Sequence, residues 1–254
     1  MQLTVLGSGT SIPLTYRASP SLMLNVDGDI LLLDMGPGTL RQLARAGIEN
    51  SLIDHALFSH FHPDHTADLI HFLFVTRNPN IFDKRKPFIV SGSKGLKTLI
   101  TNLQSAYPGW LEIPEDKMTV EEFNNLEKTE NNYKKYTIFT YPVDHTKNSL
   151  AYRIEDKKSK SMVYSGDTGF CEGISSFARG TDILILECSI PEGDNTEGHL
   201  TPSQAGRLAS LSGTKKLLLV HFYPDVLSTD IVGECRKYYN GELILGRDML
   251  NITV

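Results

Sequence analysis

Ser59-His60-Phe61-His62-Pro63-Asp64-His65 sets three imidazoles and a carboxylate, four groups of metal-ligand type, within six residues. An apolar run at 56–59 precedes the stretch and reads as a buried strand, while after Pro63 the apolar positions Leu69, Ile70, Leu73 and Phe74 recur at helical intervals. The stretch therefore joins a strand to a helix. If His60-Phe61-His62 is extended, its two imidazoles project from one side of the chain, and Asp64 and His65, opening the helix, turn back toward the same point. A lone histidine in such a place would be read as structural. Four ligand-type groups packed this closely are best reconciled by a cation.

Three more residues farther along repeat the placement. His145 follows an apolar strand pattern at 136–143, Asp167 in Ser165-Gly166-Asp167-Thr168-Gly169 follows 162–165, and His221 follows 217–220. Each is a ligand-type side chain at the C-terminal end of a strand, the edge at which open α/β layers build their sites. Seven ligands are too many for one tetrahedral zinc but suffice for two adjacent ions if one carboxylate bridges. Zinc is the first choice for a histidine-rich site, and the two aspartates leave manganese or iron open. Another histidine, His199, sits in Gly198-His199-Leu200-Thr201-Pro202, where Thr201 is placed to cap a helix; it lies 12 residues after Glu187.

Around these positions the chain alternates strand and helix signals. Residues 3–6, 21–26 and 30–33 read as strands, with Val26-Asp27-Gly28-Asp29-Ile30 as a tight hairpin, and 40–48 as a helix. Strands at 88–90, 136–141, 149–154, 161–164, 183–186, 217–220, 243–245 and 252–254 follow, with helices at 93–103 and 202–211, a short helix near 120–126, and a hairpin turn at Asp156-Lys157-Lys158-Ser159-Lys160. The resulting expectation is an α/β protein of two sheets sandwiched between helices. Residues 76–135 are expected to form an irregular excursion lying over the metal site, with Tyr107, Trp110, Phe72 and Phe82 as wall candidates for a substrate pocket.

Composition bounds the function. The 254 residues are 40% hydrophobic and 22% charged, an ordinary globular balance, and the net charge of -5 offers no broad positive field for a polyanion. Lys84-Arg85-Lys86 and Lys157-Lys158 are short basic clusters that could meet phosphate, although such runs in turns are usually only solvated. Aliphatic runs are too short for a spanning helix, and no signal peptide is legible, so no membrane partner is expected and a cytoplasmic location is. Cys171, Cys188 and Cys235 form an odd, scattered set that suits reduced thiols.

Taken in order, the motifs resemble those of the metallo-β-lactamase-fold hydrolases, and within them the ribonuclease Z-like phosphodiesterase branch. His60, His62, Asp64 and His65 match the family's HxHxDH motif; His145, Asp167 and His221 match its third, fourth and fifth motifs; and Asp34 in Leu33-Asp34-Met35-Gly36 matches its first. Val5-Leu6-Gly7-Ser8-Gly9-Thr10, followed by Pro13, Arg17 and Ser19, is similar to the ribonuclease Z opening. The resemblance implies a four-layer αββα sandwich, one domain over residues 1–254. It further implies one divalent ion on His60, His62 and His145, a second on Asp64, His65 and His221, Asp167 bridging, and Asp34 orienting a ligand histidine. By the same resemblance a metal-bound hydroxide, oriented or deprotonated by Asp64, attacks phosphorus, and His199 supported by Glu187 assists the departing oxygen. His55 and His71 have no counterpart in the family motifs and are read as structural. Many relatives are homodimers.

One departure narrows the substrate. Ribonuclease Z carries a long tRNA-gripping arm between the third histidine and the bridging aspartate, whereas His145 to Asp167 leaves room for a single hairpin. With a net charge of -5, tRNA is disfavoured and a small or cyclic phosphodiester, or short RNA, is the expected substrate. A lactonase or thioesterase, which needs no Glu187–His199 pair, is the nearest alternative, followed by a sulfatase. A flavin-diiron oxidoreductase is disfavoured because its relatives carry glutamate where this chain has His62, and a non-catalytic scaffold because all seven ligand positions are filled.

Overall fold

The computed structural model describes residues 1–194 and 196–254. In chain order its strands are β1 (Gln2–Gly7), β2 (Ser21–Val26), β3 (Asp29–Leu33), β4 (Ile53–Leu57), β5 (Phe88–Ser93), β6 (Met118–Phe123), β7 (Thr129–Asn132), β8 (Tyr136–Pro142), β9 (Leu150–Asp156), β10 (Ser161–Tyr164), β11 (Ile183–Glu187), β12 (Lys216–Val220), β13 (Glu242–Leu245) and β14 (Leu250–Thr253). Its helices are α1 (Thr39–Arg45), α2 (Pro63–Thr66), α3 (Asp68–Thr76), α4 (Pro79–Phe82), α5 (Leu96–Ala106), α6 (Glu172–Phe177), α7 (Pro202–Ser212), α8 (Pro224–Leu227) and α9 (Ile231–Arg236). Among the described residues one sheet runs β14-β1-β2-β3-β4-β5-β6 and the other β13-β12-β11-β10-β9-β8-β7. Each sheet is antiparallel in one half and parallel in the other.

Unbroken apolar runs, rather than alternating ones, follow from burial on both faces. In β3, Leu31 and Leu33 enter the core between the sheets, while Ile30 and Leu32 enter the core beneath α1, α3 and α5. In β12, Leu218 and Val220 face the other sheet, and Leu217 and Leu219 pack with Leu208 of α7 and Cys235 of α9. The layers are therefore helix, sheet, sheet, helix, as the sequence led us to expect. The hairpin between β2 and β3 forms as read: Val26 pairs with Asp29, and Asp27 and Gly28 take φ of 49° and 91°, the two left-handed positions such a turn requires. Thr201 caps α7 in a reciprocal box with Gln204.

Three readings are corrected. Residues near 120–126 form no helix: β6 ends at Phe123 and pairs in parallel with β5, because Met118 and Phe123 bury their side chains and Thr119 and Val120 are β-branched. The helix expected at 93–103 begins at Leu96, since β5 continues to Ser93 and Gly95, at φ 111°, turns the chain. Residues 76–135 are not irregular throughout; they contribute α4, β5, α5, β6 and β7. Among the described residues no helix is long and apolar enough to cross a membrane.

Arg85 is not a solvated turn residue. It is 2% exposed, its guanidinium lies over the rings of Phe72 and Phe88 at 4.9 and 3.8 Å, and it donates to the carbonyls of Asn50 and Ile53. Burial pulls its pKa down to about 10, which leaves it charged at neutral pH. Hydrogen bonds from a charged group contribute roughly 1.5–3 kcal/mol each. Arg85→Ala is therefore expected to lower unfolding stability by about 3–5 kcal/mol, read from urea denaturation at fixed metal content; a loss below about 1 kcal/mol would show that these contacts do not hold the α3–β5 connection.

Candidate metal centre

The centre forms where strands of both sheets end. Beyond β4 the chain stays extended, with Phe58 N–H bonded to Ser91 O at 2.9 Å, and His62 (φ −65°, ψ 148°) precedes α2 with Pro63 in the helix's first turn. This extended-then-helical path delivers His60, His62, Asp64 and His65 to one place. Asp167 arrives from the turn after β10, His145 from beyond β8 and His221 from the end of β12. Gly166 makes that approach possible: it sits at φ 60°, and a Cβ there would lie 2.5 Å from the Ser59 Cβ.

Among the described residues three overlapping groups of donor atoms result, the third being Asp167, His199 and His221, and two of them hold the seven ligand candidates. His60, His62, His145 and Asp167 form one, and Asp64, His65 and His221 form another, each with its atoms within 4.8 Å of one another. Asp167 spans both. Its Oδ2 stands 3.9 Å from His60 Nε2 and 3.8 Å from His145 Nε2, while its Oδ1 stands 3.3 Å from His65 Nε2 and 3.4 Å from His221 Nε2. Asp64 Oδ2 lies 3.8 and 3.7 Å from those last two nitrogens. Two donors each about 2.1 Å from one ion at a tetrahedral angle stand about 3.4 Å apart, so the spacing suits a shared cation.

Hydrogen bonding gives an independent test of that fit. The outward nitrogens are tied down: His65 Nδ1 to Asp34 Oδ2 (2.8 Å), His60 Nδ1 to Ser59 Oγ (3.0 Å), His145 Nδ1 to Gly198 O (2.9 Å) and His221 Nδ1 to Ser189 Oγ (2.8 Å). The inward atoms His60 Nε2, His65 Nε2, His221 Nε2 and Asp167 Oδ1 are buried without a hydrogen-bond partner among the described residues. Four such orphans converging in one place would be costly unless a cation meets them. His62 Nδ1 and His145 Nε2 face each other at 3.2 Å and invite the same cation.

Charge agrees. Burial opposes ionisation of Asp167, but His221, His65 and His60 outweigh it and hold its carboxyl well below the ordinary range. Burial pushes His60 down to about 2, leaving its imidazole neutral with a lone pair to offer. For His65 burial acts in the same direction, yet Asp167 and Asp34 prevail and raise it well above the ordinary value.

Asp34, fully buried at φ 61°, accepts from Ser59 N–H and Oγ–H, from Tyr164 O–H and from His65, all at 2.7–2.8 Å. It thereby fixes the His65 ring. Loss of such an outer partner typically weakens metal binding by roughly 10–100-fold. Asp34→Asn is expected to weaken binding at the His65 side within that range, read by chelator competition; wild-type affinity in the variant would rule out this orienting role.

Glu187 and His199 meet beside the donor cluster. The carboxylate is 1% exposed and accepts from His199 Nδ1 (2.8 Å), Thr168 N–H (2.8 Å) and Leu200 N–H (3.2 Å). Burial would lower His199, but the Glu187 hydrogen bond and charge raise it above the ordinary imidazole value. Its ring lies 5.0 Å from His145 and 6.0 Å from His221, centroid to centroid, and it also falls within donor distance of Asp167 and His221.

All nine residues singled out in the sequence thus come together. The aromatic candidates do not. Phe72 is core, Phe82 lies under Lys117, and Tyr107 and Trp110 are 47% and 60% exposed, Trp110 packing edge-on to Phe74. A cavity of about 710 Å³ opens instead beside His145 and His199, lined by Asp144, Phe170, Ile190, Glu197 and Gln204 among others. Lys158 of the β9–β10 hairpin pairs with Asp27 of the β2–β3 turn. Ser189, Tyr164 and Tyr223, the last 5.7 Å from His221 and 6.1 Å from His199, went unread because only folding brings them here.

The profile of the β-lactamase superfamily domain matches residues 30–222. An uncharacterized protein of Mycobacterium tuberculosis is 30% identical over 244 residues, covering 95% of this chain and 88% of that protein. Ribonuclease Z of Streptomyces avermitilis is 26% identical over 303 aligned positions, covering 100% of this chain and 97% of the relative. In structure the chain is similar to the metallo-β-lactamase-fold protein YhfI of Bacillus subtilis, with a TM-score of 0.84 at 22% identity, covering 99% of this chain and 98% of that one.

Proposed function

The chain belongs to the β-lactamase superfamily and has the metallo-β-lactamase fold, and from that premise we propose that it is a two-metal phosphodiesterase for a small or cyclic phosphodiester or short RNA. The observation that carries this reading is the Glu187–His199 pair, 2.8 Å apart, set beside a two-lobed donor cluster. His60, His62 and His145 would hold one ion and Asp64, His65 and His221 the other, with one oxygen of Asp167 turned to each. The nitrogen-rich set suits zinc, and manganese or iron is compatible with the two carboxylates.

Bound there, the ions supply an ionised water at neutral pH and neutralise charge that develops on the phosphoryl oxygens. The chain's own groups do the rest. His199, with Nδ1–H held by Glu187, presents Nε2–H to the departing alkoxide and gives it the proton. The Glu187 hydrogen bond and charge raise its pKa above the ordinary imidazole value, the direction that favours a proton donor. Asp64, whose Oδ2 lies 3.8 and 3.7 Å from His65 and His221 Nε2, would orient the attacking water by accepting its hydrogen bond.

A substrate smaller than tRNA is supported by size and charge. The ribonuclease Z alignment runs over 303 positions, of which this chain has 254 residues to contribute, and the net charge is -5. A carbon ester with a good leaving group does not need the proton donor. Metal-loaded protein is expected to hydrolyse bis(p-nitrophenyl) phosphate in clear preference to p-nitrophenyl acetate, lactones and thioesters; the reverse order would assign the site to carbon esters.

A further inference from the structure

The cavity beside His199 has a chemical bias that the metal ligands do not explain. It holds about 710 Å³ and is bounded on one side by His145 and His199, the side from which the leaving oxygen departs in the reading above. Its walls combine the apolar faces of Phe170 and Ile190 with the carboxylates of Asp144 and Glu197 and the amide of Gln204. No lysine or arginine is among the described residues that line it. Arg207 lies over the Phe170 ring at 5.0 Å, outside the lining, and is paired with Glu172 at 3.5 Å.

Such a wall repels a second phosphate. A nucleoside diphosphate, a polyphosphate or the next nucleotide of an RNA chain would bring an anion against Asp144 and Glu197, away from the edge held by His145 and His199, and no lysine or arginine among the described lining residues would compensate there. An uncharged or cationic group with hydrogen-bond donors meets the opposite situation: acceptors on the carboxylates and Gln204, and a flat apolar surface on Phe170. The volume is large enough for a ring system the size of a nucleobase with its sugar.

Resting on the phosphodiesterase reading, we propose that this cavity is the leaving-group subsite and selects an alcohol that is neutral or cationic, rich in hydrogen-bond donors and free of further phosphates. A single-phosphate diester, including a cyclic one whose opened alcohol stays attached to a donor-bearing ring, satisfies it. A diester within an RNA chain does not. Within this family of substrates, discrimination arises from charge in the cavity and leaves the metal ligands to the chemistry.

The test uses metal-loaded protein and three methyl aryl phosphates whose departing phenol carries a 3-aminomethyl, a 3-methyl or a 3-carboxy group. The ratio of kcat/KM for the cationic to the anionic ester is measured in wild type, Glu197→Lys and Asp144→Asn, so that differences in intrinsic reactivity cancel between proteins. Both replaced side chains are exposed, and their removal leaves the core intact. The ratio is expected to fall by about tenfold or more in Glu197→Lys and by a few-fold in Asp144→Asn, as expected for charges a few ångströms apart in a half-open site. Turnover of all three esters with the same ratio in every protein overturns the subsite assignment while leaving the phosphodiesterase reading standing. Failure of wild type to hydrolyse even the neutral ester overturns the reading itself and the subsite with it.

Discussion

Asp167→Ala is expected to reduce bound metal from two ions per chain to one or fewer and to depress diester turnover by at least about a thousandfold. The reasoning is local. Among the described residues Asp167 alone has its two oxygens divided between the donor groups, Oδ2 toward His60 and His145 and Oδ1 toward His65 and His221. Removing it takes a ligand from both lobes together and deletes the negative charge that offsets two positive ions in a buried site. Neither nearby carboxylate is available to replace it, because Asp34 is committed to His65, Ser59 and Tyr164, and Glu187 to His199 and two backbone amides. Elemental analysis of the purified variant, with turnover measured on the same sample, decides the matter. Two ions retained in Asp167→Ala would mean that the carboxylate does not bridge.

His199→Ala is expected to behave differently: full metal content, a folded protein, and kcat for alkyl diesters lowered by roughly 10²–10⁴-fold. The loss should depend on the leaving group. p-Nitrophenolate departs readily without a proton, whereas an alkoxide does not, so the defect should be small for aryl diesters and large for alkyl ones. Glu187→Gln should show a milder form of the same pattern, since the imidazole keeps a hydrogen-bond partner but loses the charge that raises its pKa. Because His199 also lies within donor distance of Asp167 and His221, the competing assignment is a direct ligand. Loss of an ion in His199→Ala, or an equal defect with aryl and alkyl leaving groups, would establish that competitor.

How much of this was legible in the sequence depends on how local each signal is. The HxHxDH stretch declares itself because its ligands are neighbours in the chain, and the strand-end positions of His145, Asp167 and His221 follow from the unbroken apolar runs before them. Asp34 and the Glu187–His199 pair were reached only through resemblance to a family. The remaining supports could not be read at all: Ser189 meets His221, and Tyr164 meets Asp34, through contacts made by folding between distant parts of the chain. The errors have a similar origin. The short helix expected near 120–126 gives way to a strand, because residues 118–123 pair in parallel with β5. Lys84-Arg85-Lys86 looks like a solvated cluster until Phe72 and Phe88 close over Arg85. Aromatic residues expected to wall the substrate proved to be core or exposed surface, and the cavity formed instead from the loops around Asp144, Phe170 and Glu197.

The central claim, that a two-ion site on these seven ligands hydrolyses phosphodiesters, is tested most directly by titrating metal-free protein with zinc while following bis(p-nitrophenyl) phosphate hydrolysis. Activity is predicted to rise from background and level off at two equivalents per chain, and to vanish again on chelation. Hydrolysis that is unaffected by chelator, or none at all with two equivalents bound, would contradict it.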